Sequence, residues 1–578
     1  MIRSTLRAGV ALAAPAFAAA ATPHTADLVL YDARVLTIDK AFSVKQAVVV
    51  RGDRIVAVGG NELAQTFDAP KKVDLHGRVL MPGFMDTHLH IFTLSRREIE
   101  PAKARSIEAI QQMIRAKAAE LGPGEWITGY GWDEALLAEK RNLNRSDLDV
   151  AAPGNPVTLV RAGGHSSVGN SLALKLAGVS RDTPDPSGGV IEHGADGEPN
   201  GIIRERSDLY RNHVPPDKWE EVRGGYIRSL KHLFSLGITS FESATTTLDD
   251  EPVGRGGIER PGSELTFRRF QGIAAETAIP RATLYISYPG ADRLKAYPHH
   301  SGYGDIRVRL GPIGENAVDG GFTGPTAWTL VDYKGQPGFR GKGFFSDTEL
   351  QSMVDTAASL GWQMGLHAIG DAAIQQTVIA YDRALGRYPG MDHAGANRRW
   401  FLDHFTVMPP EATMALMARD RILIAQQPNF GYNLEARYNA TLDGWRVTHN
   451  NSVATPVRKF GIFMAFGSDN LPIDPRVGLY YATTRRGPDG VQHGFAEEAV
   501  SRQEALRMYT ANGPYLSWEE HLKGTLEPGK LADMIVLDSD PLTIPEERLL
   551  SMNVDQTYLG GKLVYDRSHS GDVVAAPH

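Results

Sequence analysis

Four histidines and one aspartate have the types and surroundings of a metal centre: His88 and His90 in MPGFMDTHLH, His367 in GLHAIGD, His404 in FLDHF and Asp469 in FGSDN. Each closes a short apolar run, which predicts a position at the C-terminal end of a buried strand. His88 and His90 are two apart, so on an extended strand both side chains point to one side and can grip one ion. The chain has no cysteine, so any ion must be held by imidazole and carboxylate. Such an ion lowers the pKa of a bound water toward about 7 and polarises a carbonyl. Asp469 beside it can take a proton as hydroxide attacks and pass it to a leaving nitrogen. Taken singly, His367 and His404 read rather as hydrogen-bonded core histidines, and Asp469 also reads as a loop cap. Taken with the HxH pair, the ligand reading is the stronger.

Residues so far apart in the chain meet if their strands belong to a parallel β/α barrel, where strand ends converge on one face. The centre of the sequence alternates strand-like and helix-like segments as that fold requires. Candidate strands are Leu80 to Met85, Ile238 to Glu242, Arg281 to Ser287, Ile306 to Ile313, Trp362 to Leu366, Trp400 to Asp403, Arg421 to Ala425 and Ile462 to Gly467. Candidate helices are Ser106 to Leu121, Trp219 to Leu236, Asp347 to Leu360, Asp371 to Leu385, Pro410 to Arg419 and Ser501 to Thr510. The expected fold is therefore α/β, a (β/α)8 TIM-type barrel. Val- and Ile-rich runs with hairpin turns near the start, and again near the end, predict a small composite β-sandwich of antiparallel strands over 26–82 plus 522–567. The barrel then spans 83–521, with a long insertion at about 91–216 that includes the strand VTLVR and the loop AGGHSSVGN and is expected over the catalytic face.

With 578 residues, 42% hydrophobic and 22% charged, the chain can bury a large core. A net charge of −7 and no Lys/Arg run argue against a nucleic-acid partner. Arg3 and Arg7 precede an Ala-rich stretch ending in Ala16-Phe17-Ala18 and Ala21, which reads as an export signal over 1–21; the alternative is an Ala-rich leader on a cytoplasmic protein. No later stretch is long and apolar enough to span a bilayer. The expected partner is a small-molecule substrate, self-association stays open, and the expected cofactor is a divalent metal ion.

VLMPGFMDTHLH after small β-strands, together with the terminal GTLEPGKLADMIVLDSDP, resembles the amidohydrolase superfamily, and GWDEALL, LVRAGGHSSVGNSLAL and HAIGDAAI resemble its YtcJ-like branch, which includes N-substituted formamide deformylases. The resemblance implies metal ligands from strands one, four, five, six and eight: His88 and His90, a residue of strand four, His367, His404 and Asp469. Many relatives carry a carboxylated lysine on strand four; the matching stretch here, ENAVDGG, has Glu315 instead. Glutamate can bridge two ions unaided, or stand as a second-shell acid or substrate contact beside one ion. Lys295 and Lys334 are poor substitutes for the missing lysine. By resemblance, His165 contacts an oxyanion or substrate, with loop bracing as the alternative, and Trp132 and Asp133 wall the pocket, with core packing and helix capping as alternatives. Glu205 contacts substrate or else joins Arg204 and Arg206 in an ordinary ion-paired surface. The implied reaction is hydrolysis of a C–N bond in N-acyl or N-formyl amines. The competitors are cyclic-amide opening, deamination, ester or carbamate hydrolysis, and a non-catalytic binding protein on the same fold.

Overall fold

The computed structural model describes residues 24–569, apart from 94, 135, 163–165, 187–188, 205, 245, 249–264, 323–324 and 389–397. The expected export signal over 1–21 lies outside the described residues. Eight parallel strands form one sheet in chain order: β1 (Phe84–Leu89), β2 (Ile238–Ser243), β3 (Arg281–Ile286), β4 (Val308–Gly314), β5 (Met364–Ala368), β6 (Phe401–His404), β7 (Leu423–Gln426) and β8 (Met464–Phe466). A parallel bridge between Leu89 and Asp469 carries the last strand back to the first. Gly467 is what allows that approach, because a β-carbon there would lie 2.6 Å from the backbone nitrogen of His88.

The strands are buried along their length, as parallel strands covered by helices must be; all six residues of β1 and of β3 are buried. Helix Trp219–Ser235 turns Leu230 and Leu233 onto Phe84, Ile238 and Phe241. Helix Asp347–Ser359 starts from a reciprocal cap between Ser346 and Glu349 and buries Met353, Val354 and Ala357. Each such aliphatic side chain contributes roughly 1.5–3 kcal/mol when fully buried. Inside the barrel, Tyr285, Phe401, Ala425, Ala465 and Leu516 fill the bore, so it is a packed core with its chemistry at one end.

The first barrel strand differs from the expectation of Leu80 to Met85. Pro82-Gly83 divides the apolar run: Val79–Pro82 belongs to an outer sheet, and the barrel strand begins at Phe84. That outer sheet has the order Lys562–Asp566, Val554–Leu559, Met534–Leu537, Val79–Pro82, Arg34–Leu36, Val44–Lys45. A second sheet has the order Arg54–Gly59, Ala47–Arg51, Leu28–Tyr31, Lys71–Asp74. Leu30, Val48 and Val50 from one and Val35, Leu80, Met534 and Val536 from the other share a core, a small sandwich of strands from both ends of the chain. Its pairing is mixed rather than antiparallel throughout, since Leu28–Tyr31 runs parallel to Lys71–Asp74 and Arg34–Leu36 parallel to Val79–Pro82.

Between β1 and helix Trp219–Ser235 a third sheet takes the order Glu98–Ile99, Ile127–Trp132, Val157–Arg161, Ser166–Gly169, Pro199–Arg204, Val190–His193, backed by helix Ile107–Leu121. The loop expected at AGGHSSVGN is thus in part a strand, because Ser166–Gly169 finds antiparallel partners on both sides. No described helix is long and apolar enough to cross a membrane.

Candidate metal centre

The strand ends bring six sequence-predicted side chains to one point. His88 lies near the end of β1 and His90 just past it; Glu315 follows β4, His367 is in β5, His404 ends β6, and Asp469 follows β8. The loop after β8 is pinned to β1: Asp469 N–H donates to His88 O at 2.7 Å, and Asp86 Oδ1 accepts the N–H groups of Ser468 at 3.0 Å and His88 at 3.2 Å. Glu315, His404 and Asp469 have φ of +53°, +73° and +59°. A side chain in that left-handed region costs roughly 1–2 kcal/mol, and such strain collects where the surrounding fold fixes a functional geometry.

Glu315 is the hub. Its Oε1 lies 3.4 Å from His88 Nε2, 3.8 Å from His90 Nε2 and 3.5 Å from His404 Nε2, while Oε2 lies 3.4 Å from His367 Nδ1. Asp469 Oδ1 is 3.3 Å from His90 Nε2. Three triads have donor atoms within 4.8 Å of one another: His88, His90 and Glu315; His88, His404 and Asp469; Glu315, His367 and His404. Ligand atoms about 2.0–2.2 Å from a tetrahedral ion stand roughly 3.3–3.6 Å apart, so the spacing fits a divalent cation. His88 Nε2, His404 Nε2 and Glu315 Oε2 are buried and make no hydrogen bond. Lone pairs converging without donors are what a cation requires, and the residues fit it.

Burial disfavours charge at Glu315, yet His367, His404 and His88 overcome it and hold the carboxyl well below its ordinary value. Burial likewise works against Asp469, and His90 more than offsets it, leaving that carboxyl low. His88 is desolvated, but Asp403 and Glu315 carry its pKa well above the usual imidazole value. His404 moves the other way, lowered by burial and by His367.

Several supporting residues went unread in the sequence. Asp403 Oδ1 lies 3.0 Å from His88 Nδ1 and accepts from Tyr285 Oη–H at 3.1 Å. Gln427 Oε1 lies 2.8 Å from His404 Nδ1. Asp319 accepts backbone N–H bonds from Trp328, Ile369 and Gly370, fixing the turn after His367. Asp403 and Asp86 had a legible signal, since an acid in an otherwise apolar buried strand must have a partner; Tyr285 and Gln427 had none.

Of the remaining expected site residues, Trp132 and Asp133 are described. Trp132 packs with Ile99, Ile107 and Leu159 in the core of the inserted sheet, which is the core-packing alternative. Asp133 is half-buried near Arg161, which pairs with Glu134 at 2.7 Å; no described helix starts at Asp133, and Asn144 caps the next one. His165 and Glu205 lie outside the described residues. Lys295 and Lys334 are exposed, the latter donating to Asn439 O.

The sequence profile of the amidohydrolase family matches residues 71–565. The YtcJ protein of Bacillus subtilis is 27% identical over 542 residues, covering 90% of this chain and 96% of its own. The N-substituted formamide deformylase of Arthrobacter pascens is 26% identical over 562 residues, covering 94% and 99%. Among solved structures, an uncharacterized metal-dependent hydrolase of Pyrococcus furiosus superposes with a TM-score of 0.68 at 22% identity, covering 89% of this chain and all (100%) of that one. At that identity the likeness speaks for the fold.

Proposed function

This chain is a hydrolase of the amidohydrolase family, and we propose that it hydrolyses a C–N bond of small amides, N-acyl and N-formyl amines foremost, at a centre of one or two divalent ions held by His88, His90, Glu315, His367, His404 and Asp469. The observation that carries this reading is the division of one carboxylate. Glu315 turns Oε1 toward His88, His90 and His404 and Oε2 toward His367, the arrangement a bridge between two ions about 3.5–4 Å apart would use. Zinc is the first ion to test, although the same donors also suit manganese, iron, cobalt and nickel. Likeness to an N-substituted formamide deformylase supports N-formyl amines as the first substrates.

When bound, a divalent ion supplies Lewis acidity, lowering the pKa of a water toward about 7 and polarising a carbonyl oxygen. Asp469 would take the proton of the attacking water and return it to the leaving nitrogen.

The test is stripped protein reloaded with zinc, manganese, cobalt or nickel and assayed on N-formyl and N-acyl amines, lactams, esters and carbamates. Amide turnover that disappears on stripping is expected. Turnover confined to esters or carbamates would overturn the C–N assignment, and turnover indifferent to stripping would overturn the metal centre. The Ala-rich leader supports export: a mature N-terminus downstream of it is expected, and retention of Met1 would contradict that.

A further inference from the structure

The histidines of the centre are not backed alike. His88 Nδ1 faces Asp403 Oδ1 at 3.0 Å, and both side chains are fully buried, 0% exposed. A neutral imidazole bonded to a carboxylate carries its proton on that nitrogen, so its Nε2 has the lone pair to offer an ion. Asp403 is itself held by the Tyr285 hydroxyl, 3.1 Å from the same oxygen and 3.0 Å from Thr87 O. His404 has only a neutral acceptor: the amide of Gln427 donates through Nε2 to Ala425 O at 3.0 Å, which leaves Oε1 to receive His404 Nδ1–H. His367 Nε2 is 3.9 Å from Asp319 Oδ1, outside hydrogen-bond reach, and the Asp319 oxygens already accept three backbone N–H groups at 2.7–2.9 Å. Asp469 Oδ1 is 3.3 Å from His90 Nε2 and converges with His88 and His404, whereas the carboxylate nearest His367 is the shared Glu315.

Resting on the metal-centre reading above, we propose that Asp403 is a positioning residue that makes the His88–His90–Asp469 half the tighter metal seat, so that the two halves fill in order and the ion at His367 and His404 is the exchangeable one. A carboxylate behind a ligating histidine fixes its tautomer and ring angle and raises its basicity, and losing such a partner typically weakens metal binding about 10–100-fold. An amide acceptor fixes the tautomer equally well but adds no charge. The first half therefore has a charge-supported imidazole and the second has none.

The metal-free full-length protein, titrated with cobalt(II) and followed by visible absorption and calorimetry, tests the order. Two steps are expected, the first at least about tenfold tighter. Asp403→Asn weakens the first step roughly 10–100-fold and leaves the second unchanged. Tyr285→Phe, which removes one hydroxyl, weakens the first step a few-fold and serves if the asparagine variant does not fold. His367→Ala keeps the first step and loses the second. Equal affinities for both ions, a first step indifferent to Asp403→Asn and Tyr285→Phe, or an equal loss from both steps would overturn the inference and leave the metal centre standing. Binding of a single ion would also overturn the ordered pair alone. No cobalt or zinc bound by the unmodified protein would overturn the metal centre and the inference together.

Discussion

At the C-terminal end of the barrel, imidazoles and carboxylates crowd round Glu315 with buried lone pairs that make no hydrogen bond, and three of the residues carry positive φ. At the opposite end the buried charges are paired. Arg281, which begins β3, donates to both oxygens of Asp533 at 2.7 and 3.0 Å, and Asp533 also accepts Gly560 N–H at 2.8 Å. Glu519 lies 2.8 Å from Lys523, accepts from the Ser517 hydroxyl at 3.0 Å and faces Arg309 at 3.7 Å. The Gln363 amide donates to Arg399 O and Leu516 O, tying the plug segment to the strands. One fold thus holds two populations of buried polar groups. One meets its partners within the chain; the other would be completed by the cation proposed above.

Exchanging the two ends by mutation should separate rate from stability. Asp469→Asn keeps the shape and removes the proposed base, so turnover should drop about 10²–10⁴-fold while the melting temperature of the metal-free protein barely moves. Arg281→Met does the reverse. It strands Asp533 beneath the barrel and should cost roughly 3–5 kcal/mol of unfolding free energy, measured in urea, with the turnover of the folded fraction unchanged. If Arg281→Met lowered turnover per folded molecule as far as Asp469→Asn, the division between the ends would not stand.

A pH series sharpens the same contrast at the paired end. Burial pushes the Glu519 carboxyl up, but Lys523 and Arg309 more than offset it and hold it below its ordinary 4.5. The unfolded chain therefore takes the proton first. This contribution is complete above about pH 4.5 and is lost as pH falls through the lower folded value. Urea midpoints between about pH 6 and 3 should decline for the natural protein and run flatter for Glu519→Gln, which starts lower because Lys523 is left without its anion. A steeper decline in the variant would contradict the assignment.

The sequence disclosed the barrel and the side chains that converge at its end because both depend on local pattern. Buried apolar runs ending in His or Asp mark strand ends, and apolar residues at helical spacing mark the crossovers. The start of the first strand was misread because VLMPGFM is one continuous apolar run, and only pairing with Met534–Leu537 shows that its first half belongs elsewhere. Glu315 stood out only against a family pattern. Tyr285 and Gln427 were invisible, since their partners His88, Asp403 and His404 come from other strands and meet them only when the barrel closes. The strand Ser166–Gly169 was hidden in the same way, its Gly/Ser composition overridden by partners on both edges.

The smallest effect asks whether positive φ is itself a mark of function. Arg421 has φ of +56° where helix Glu411–Asp420 ends, just before β7 and so at the paired end of the barrel. There the left-handed residue is a helix stop, a position that glycine fills more cheaply. Arg421→Gly relieves roughly 1–2 kcal/mol of side-chain strain and gives back about 0.5–1 kcal/mol in unfolded-chain entropy, so a net gain of a few tenths to about 1 kcal/mol is expected, with turnover unchanged. The same change at His404 relieves similar strain but empties a buried site, strands Gln427 Oε1 and deletes a donor of the proposed centre, so stability without metal should fall together with metal binding and turnover. Chemical denaturation of both variants in chelator, set beside their turnover with metal, makes the comparison. Loss of turnover in Arg421→Gly, or none in His404→Gly, would mean that strain rather than ligand chemistry distinguishes the two ends.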